Sequence, residues 1–181
     1  GWQIRIWLAQ NKMDSALEWV NEQDIAPIEK SNYVDGLLYM AFARILTAQE
    51  RYDESDDLLR RLLVDADSGG HTSRTIEIQN LMSLNFKAWE AGERALLQLT
   101  KALKIAESGG FIRIFVDEGP PMARLLYEAL SEGIAPDYVQ KLLAAFPVEK
   151  PEQLPGTLIQ SDESEWIEPL SDRELEVLQL I

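Results

Sequence analysis

The sequence predicts an all-α protein of helical hairpin repeats, stacked as a right-handed superhelix. Three observations carry that expectation. Similar segments recur at a spacing near forty residues: Arg5–Asp14 aligns with Arg44–Asp53 at a spacing of 39, sharing Arg, Ile, Ala, Gln and Asp, and Lys12 answers Arg51. A third, weaker copy about 41 residues further on runs through Ala88–Arg94, and recurrence at a fixed period is the signature of a repeat architecture. After each later break the apolar residues lie on one stripe of a helix, first Leu58, Leu59, Leu62, Leu63 and Ala66, then Leu96, Leu99, Leu103 and Ala106. Finally, Gly69-Gly70 and Gly109-Gly110 close those stripes, supplying the left-handed residue that ends a helix with little strain.

Taken in order, the chain opens inside a helix at Gly1-Trp2-Gln3-Ile4, without an initiator Met, and is expected to be a fragment of a longer protein at both ends. Each copy reads as a helix, a polar break and a second helix. The first helices, over Tyr33–Ala48 and Arg74–Ala91, carry apolar residues on more than one face, as expected where neighbouring hairpins cover them from two sides. Because the period exceeds the usual 34 residues of a tetratricopeptide repeat, the repeats are tetratricopeptide-like.

Phe111–Val116 has the β-branched and aromatic content of a strand. With no partner strand in the sequence it reads as a short extended or helical connector. Pro120 and Pro121 open a helix over Met122–Ser131, where a missing N–H costs nothing. Leu125, Leu126, Ala129 and Leu130 form its stripe, and Gly133 ends it. A last repeat-region helix, Pro136–Phe146, places Val139, Leu142, Leu143 and Phe146 on one face.

Pro147, Pro151, Pro155 and Pro169 exclude a regular helix beyond that point, and Ser161–Glu165 is an acidic run. The expected organisation is a helical-repeat effector domain over 1–146, a proline-rich acidic linker over 147–169 with Trp166 as its docking residue, and a new element over 170–181. In that element Ser171 and Glu174 stand in capping-box spacing, Leu170 and Leu175 in hydrophobic-staple spacing, and Leu175, Leu178 and Ile181 on one stripe.

Residues 170–181 resemble the opening helix of a LuxR-type helix-turn-helix, with Arg173, Glu174, Glu176, Val177 and Leu178 all in register. The resemblance extends upstream through Gly110–Gly119, where Arg113–Gly119 matches the family's "Arg-x-Phe-Val/Leu-Asp-Glu-Gly" stretch, and through Leu142–Phe146. Together these segments resemble the region preceding the DNA-binding domain in large LuxR-family, MalT-like (LAL) activators. That resemblance implies a helical sensor acting with an upstream ATPase and a terminal helix-turn-helix. ATP would then be a cofactor of an upstream domain only. DNA would be contacted through residues beyond Ile181, and oligomerisation would belong to the full-length protein. The expected partner of this fragment is a small-molecule inducer or a regulatory protein.

Composition narrows the chemistry. A net charge of −14 repels phosphate backbones, so the fragment is not expected to bind DNA itself. Zero cysteines exclude disulfides and thiolate chemistry and fit a cytoplasmic location. No apolar run is long enough to span a bilayer. No phosphate-binding loop occurs, and the one histidine, His71, stands in a polar turn without metal or catalytic partners at a defined spacing. Asp53, Glu54, Asp56 and Asp57 lie at a helix start, where the dipole favours them, and lack the glycine of a calcium loop.

Asp117 and Glu118 are expected to accept hydrogen bonds from backbone donors and so to steady the connector. The candidates for a concave binding face are Arg5 and Arg44, at equivalent repeat positions, and Asn80, Ser83 and Lys87, polar on one face of a largely apolar helix. Arginines there suit an anionic or hydroxyl-rich ligand, although pairing of each with a carboxylate between helices is the favoured reading. A protein-binding scaffold unconnected with transcription is the competing function. An enzyme is the weakest, because no nucleophile, metal set or base–orienter pair assembles.

Overall fold

A computed structural model describes residues 2–10, 12–22 and 33–147. The linker expected over 147–169, apart from Pro147, and the LuxR-like element over 170–181 lie outside the described residues, Trp166 included. Among the described residues all regular structure is helical: α1 (Trp2–Ala9), α2 (Met13–Glu22), α3 (Tyr33–Ala48), α4 (Tyr52–Ser68), α5 (Thr72–Ala88), α6 (Gly92–Gly109), α7 (Arg113–Val116), α8 (Pro120–Ser131) and α9 (Pro136–Leu143).

Consecutive helices pack as hairpins, and each hairpin stacks on the next. Helix α5 is the centre of the stack, touching α3, α4, α6, α7 and α8. Its sequence explains why. Ile76, Ile78, Leu81, Met82 and Phe86 are buried on several sides of the helix, so little of it beyond its last turn is left to solvent. Helices α4 and α6 bury a single stripe instead, Leu59, Leu62 and Ala66 in one and Leu99, Leu103 and Ala106 in the other. Helix α3 divides its loyalties: Ala41 and Ile45 join Ile4, Ala16 and Val20 of α1 and α2, while Tyr39, Met40 and Ala43 join the larger core under α5.

The hairpins owe their period to one turn used again and again. An N–H five residues on reaches back over the helix end from Arg51 to Leu46 (2.9 Å), from His71 to Ala66 (2.9 Å), from Ala91 to Phe86 (2.9 Å) and from Phe111 to Ala106 (3.2 Å). This Schellman bond pattern falls every twenty residues and requires a left-handed residue just before the donor. Gly70 and Gly110 supply it at φ +66 and +65°, whereas Glu50 and Glu90 hold φ +62 and +60° with a side chain attached. Glycine pairs therefore mark only alternate turns, which is why the sequence shows a forty-residue repeat rather than a twenty-residue one. A left-handed non-glycine residue costs about 1 kcal/mol. Glu50→Gly and Glu90→Gly should each raise the unfolding free energy by about that amount in urea titrations, and Gly110→Ala should lower it similarly; no gain from either glycine would refute the strain.

Three helix boundaries are adjusted. Helix α5 runs Thr72–Ala88 rather than Arg74–Ala91, its end set by the left-handed Glu90. Helix α8 begins at Pro120 rather than Met122, and α9 ends at Leu143 rather than Phe146. The connector, expected to be extended or helical, contains a single helical turn, α7, whose Phe115 and Val116 are buried.

Candidate functional site

A groove of about 690 Å³ runs along one side of the stack, walled by α1, α3, α5, the α7–α8 turn and α8, with Leu59 of α4 at its floor. Its apolar surface comes from Leu8, Leu59, Leu81 and Leu84, with Ala43, Ala48 and Ala88 giving depth where a larger side chain would fill it. Arg5, Arg44, Lys87 and Arg124 supply four cations, and Asp117, Glu118 and Glu128 three carboxylates. A chain of net charge −14 thus carries a groove with one excess positive charge.

Ion pairs across the groove follow from helix order. Arg44 of α3 donates from both Nη atoms to Glu118, at 2.5 and 2.6 Å, across 74 residues of sequence. The Glu118 side chain is only 5% exposed and that of Arg44 19%, so this bidentate pair works in a medium far less screening than water. Lys87 donates to Glu128 of α8 at 2.7 Å, with both side chains about two-fifths exposed, and a pair so exposed adds at most about 1 kcal/mol. Asp117 is taken by Arg113 within the connector at 2.7 Å. Asp117 and Glu118 therefore accept from guanidinium groups and not, as expected, from the backbone: Arg113 lies one helical turn before Asp117, and the α7–α8 turn brings Glu118 to Arg44 of α3.

The Arg113–Gly119 stretch is accounted for residue by residue. Arg113 holds Asp117, Phe115 and Val116 anchor the connector in the core, and Glu118 reaches Arg44. Gly119 adopts φ +72° and ψ −157°, a backbone conformation essentially closed to residues with a Cβ. It lets the chain turn into Pro120 at the groove's edge.

Beneath the groove a polar relay joins three helices. Thr47 Oγ1 lies 2.8 Å from Asn85 Oδ1 and 3.0 Å from Ser55 Oγ, and the Asn85 amide donates to the Tyr52 carbonyl at 3.0 Å. The Thr47 hydroxyl has one proton for two pure acceptors, Asn85 Oδ1 and the Ala43 carbonyl at 3.1 Å, and Asn85 Oδ1 is the nearer. Ser55 also lies 3.1 Å from the Ala43 carbonyl. At the other end of α5, Arg74 is buried, and a Cβ on Gly36 would meet its Nη1 at 2.9 Å, so a glycine at 36 makes room for the guanidinium. Glu77, 4.0 Å from Arg74 Nε, is half-buried. Burial pushes its carboxyl above the usual range, against the pull of Arg74, Arg44 and Arg5.

Of the five residues expected on the concave face, the groove brings together Arg5, Arg44 and Lys87. Asn80 and Ser83 are not on its wall. Both are fully buried, Asn80 donating to the Ile114 carbonyl of α7 at 3.3 Å and Ser83 to the Asn80 carbonyl at 2.7 Å. Their polarity serves the packing of α5 against the connector, which helical periodicity alone cannot distinguish from exposure. Residues the sequence reading passed over are Thr47, Asn85, Arg124 and Glu128. No local signal singles them out, because each owes its place to helices far apart in the chain.

The acidic cluster also divides. Glu54 pairs with Arg51 through bonds of 2.7 and 2.6 Å in the open, which holds its carboxyl below the ordinary value. Asp56 is buried and takes Arg60 at 3.0 Å and Arg94 of α6 at 3.4 Å, tying α4 to α6. The spacing of Asp56 and Arg60 was a readable signal for half of that arrangement. His71 is exposed in the α4–α5 turn. Among the described residues no His, Cys, Asp and Glu cluster has metal-binding geometry, and no helix is long and apolar enough to cross a membrane.

Residues 2–132, more than two thirds of the chain, match the family described as the MalT-like TPR region. The chain belongs to that family. No curated protein and no solved structure matches it. The match ends at Glu132, the residue that closes α8, so it takes in every groove wall of this MalT-like TPR region and leaves α9 outside.

Proposed function

We propose that this chain is the signal-sensing and interaction region of a LuxR-family, MalT-like transcriptional regulator. It binds an inducer or a regulatory protein in its groove and relays that event to a C-terminal DNA-binding domain, in the cytoplasm. The groove carries this reading: it spans four successive helical units, so an occupant touches α1, α3, α5 and α8 at once and biases how they pack. The LuxR-like residues 170–181, following a proline-rich stretch, support the direction of the relay. Arg5, Arg44 and Lys87 are the proposed contacts from the original candidate set.

Thermal unfolding against a library of sugars, nucleotides and small acids tests it. A ligand at a hundred times its dissociation constant adds about 2.7 kcal/mol, roughly 5–10 °C for a chain of this size. Ala88→Trp, which fills the groove from an exposed position, should abolish the shift. A hit unaffected by Ala88→Trp would overturn the groove. A groove ligand that leaves DNA binding of the longer protein unchanged would overturn the relay. A stable protein partner with no small-molecule effect would favour a tetratricopeptide-like scaffold not tied to transcription.

A further inference from the structure

The charges of the groove do not cancel, and because Asp117 is taken by Arg113 from outside the lining, two wall cations are left over rather than one. All three wall carboxylates are already engaged: Glu118 by Arg44, Glu128 by Lys87, and Asp117 by Arg113. Among the described residues, Arg5 and Arg124 have no carboxylate within ion-pair distance. Arg5 acts on Glu77 only through its longer-range field. Two guanidinium groups, one on α1 and one on α8, therefore face the same space uncompensated.

The uncharged polar side chains of the wall are Thr47 and Asn85, and these bond to each other and to the Tyr52 carbonyl. A neutral, hydroxyl-rich ligand would have to break that relay to find partners, leaving buried polar groups unsatisfied. Most of the remaining surface is Leu, Ala and Pro, which rewards apolar contact.

We infer that the groove takes an anionic amphiphile, its carboxylate or phosphate head drawn by the uncompensated Arg5 and Arg124 and its apolar body laid along Leu8, Leu81 and Leu84. This rests on the sensing role proposed above and narrows its ligand class. A guanidinium favours such oxyanion heads because its planar donors meet two oxygens at once. The retained Arg44–Glu118 pair keeps the wall in place while the head is bound elsewhere.

Titration calorimetry of the whole chain with octanoate, octyl phosphate and octanol decides it. Octanoate or octyl phosphate should bind at least tenfold more tightly than octanol, and the preferred head tells a carboxylate ligand from a phosphate one. Arg5→Gln and Arg124→Gln should each weaken the anionic probe by about tenfold, as expected for loss of a charge-assisted contact, and Ala88→Trp should remove all binding. Urea unfolding of each variant checks that it is folded; Arg124 is exposed and should lose little. Octanol binding as tightly as octanoate, or anionic binding untouched by either glutamine, would overturn the anion reading while leaving the groove in place. Anionic probes that bind in spite of Ala88→Trp would overturn the groove itself. Failure of both anionic probes to bind at millimolar concentration would refute the inference and leave the broader sensing role to the library screen.

Discussion

Phe86→Ala is expected to lower the unfolding free energy by about 3–5 kcal/mol, the range for truncating a fully buried aromatic side chain. Phe86 has no exposed surface and lies within the largest core cluster. Its ring stacks on Trp89 with centroids 6.3 Å apart, Trp89 stacks in turn on Tyr52 at 6.0 Å, and the Arg94 guanidinium lies 4.0 Å over the Phe86 centroid. One column thus joins the start of α4, the end of α5 and the start of α6. Phe86→Leu separates the contributions. It keeps most of the apolar volume, so it should cost about 1–2 kcal/mol, made up of imperfect repacking and loss of the ring face beneath Arg94. Urea titration followed by circular dichroism measures both. An alanine penalty below the leucine range would mean the column does not hold α4, α5 and α6 together.

Breaking the Arg44–Glu118 pair should cost about 2–4 kcal/mol. Removing one partner of a fully buried pair costs about 3–5 kcal/mol because the other charge is left without compensation. Here Arg44 keeps 19% of its side-chain surface, so water recovers part of the loss. Glu118→Gln leaves the shape and removes the charge, Arg44→Met removes the donor, and the double variant should be less destabilised than the two single effects summed. A coupling energy near zero in that cycle would make the contact incidental. The consequence for the groove is local. Glu118 is the point at which the α7–α8 turn is tied to α3, so Glu118→Gln should speed amide exchange in residues 113–119 well before it affects α5. Uniform change across the chain would show that the pair supports the whole core rather than that wall.

Sequence periodicity was enough for the long repeat helices, their order and their hairpin pairing, while the short α7 was left open between an extended and a helical connector. Helix α4 and helix α6 each show one apolar stripe, and α3 and α5 show several, because burial on one side or on two sides writes a different pattern into the residues themselves. Turn chemistry was half legible. Gly70 and Gly110 announced their turns, while Glu50 and Glu90 hid the same conformation behind an ordinary surface residue, since the bonds from Arg51 to Leu46 and from Ala91 to Phe86 hold it regardless of type. The Arg113–Gly119 stretch stood out by resemblance, yet its chemistry did not: Glu118 meets Arg44, 74 residues away in the sequence, only once α7 is packed on α5 and α8.

The same division runs through the site. Arg5 and Arg44 could be picked out by repeat position and Lys87 by its helix face, and these three do share the groove. Asn80 and Ser83 follow the same spacing but point into the core, because α5 is covered on nearly every side and polarity there serves hydrogen bonds to α7 and within the helix. Local sequence by itself determined which residues are helical and which side of each outer helix is apolar, since those properties depend on neighbours three and four positions away. Which charges meet, which remain uncompensated and which polar groups are spent on one another was decided only by tertiary structure, since Coulomb and hydrogen-bond partners are chosen by distance in space and not by distance along the chain.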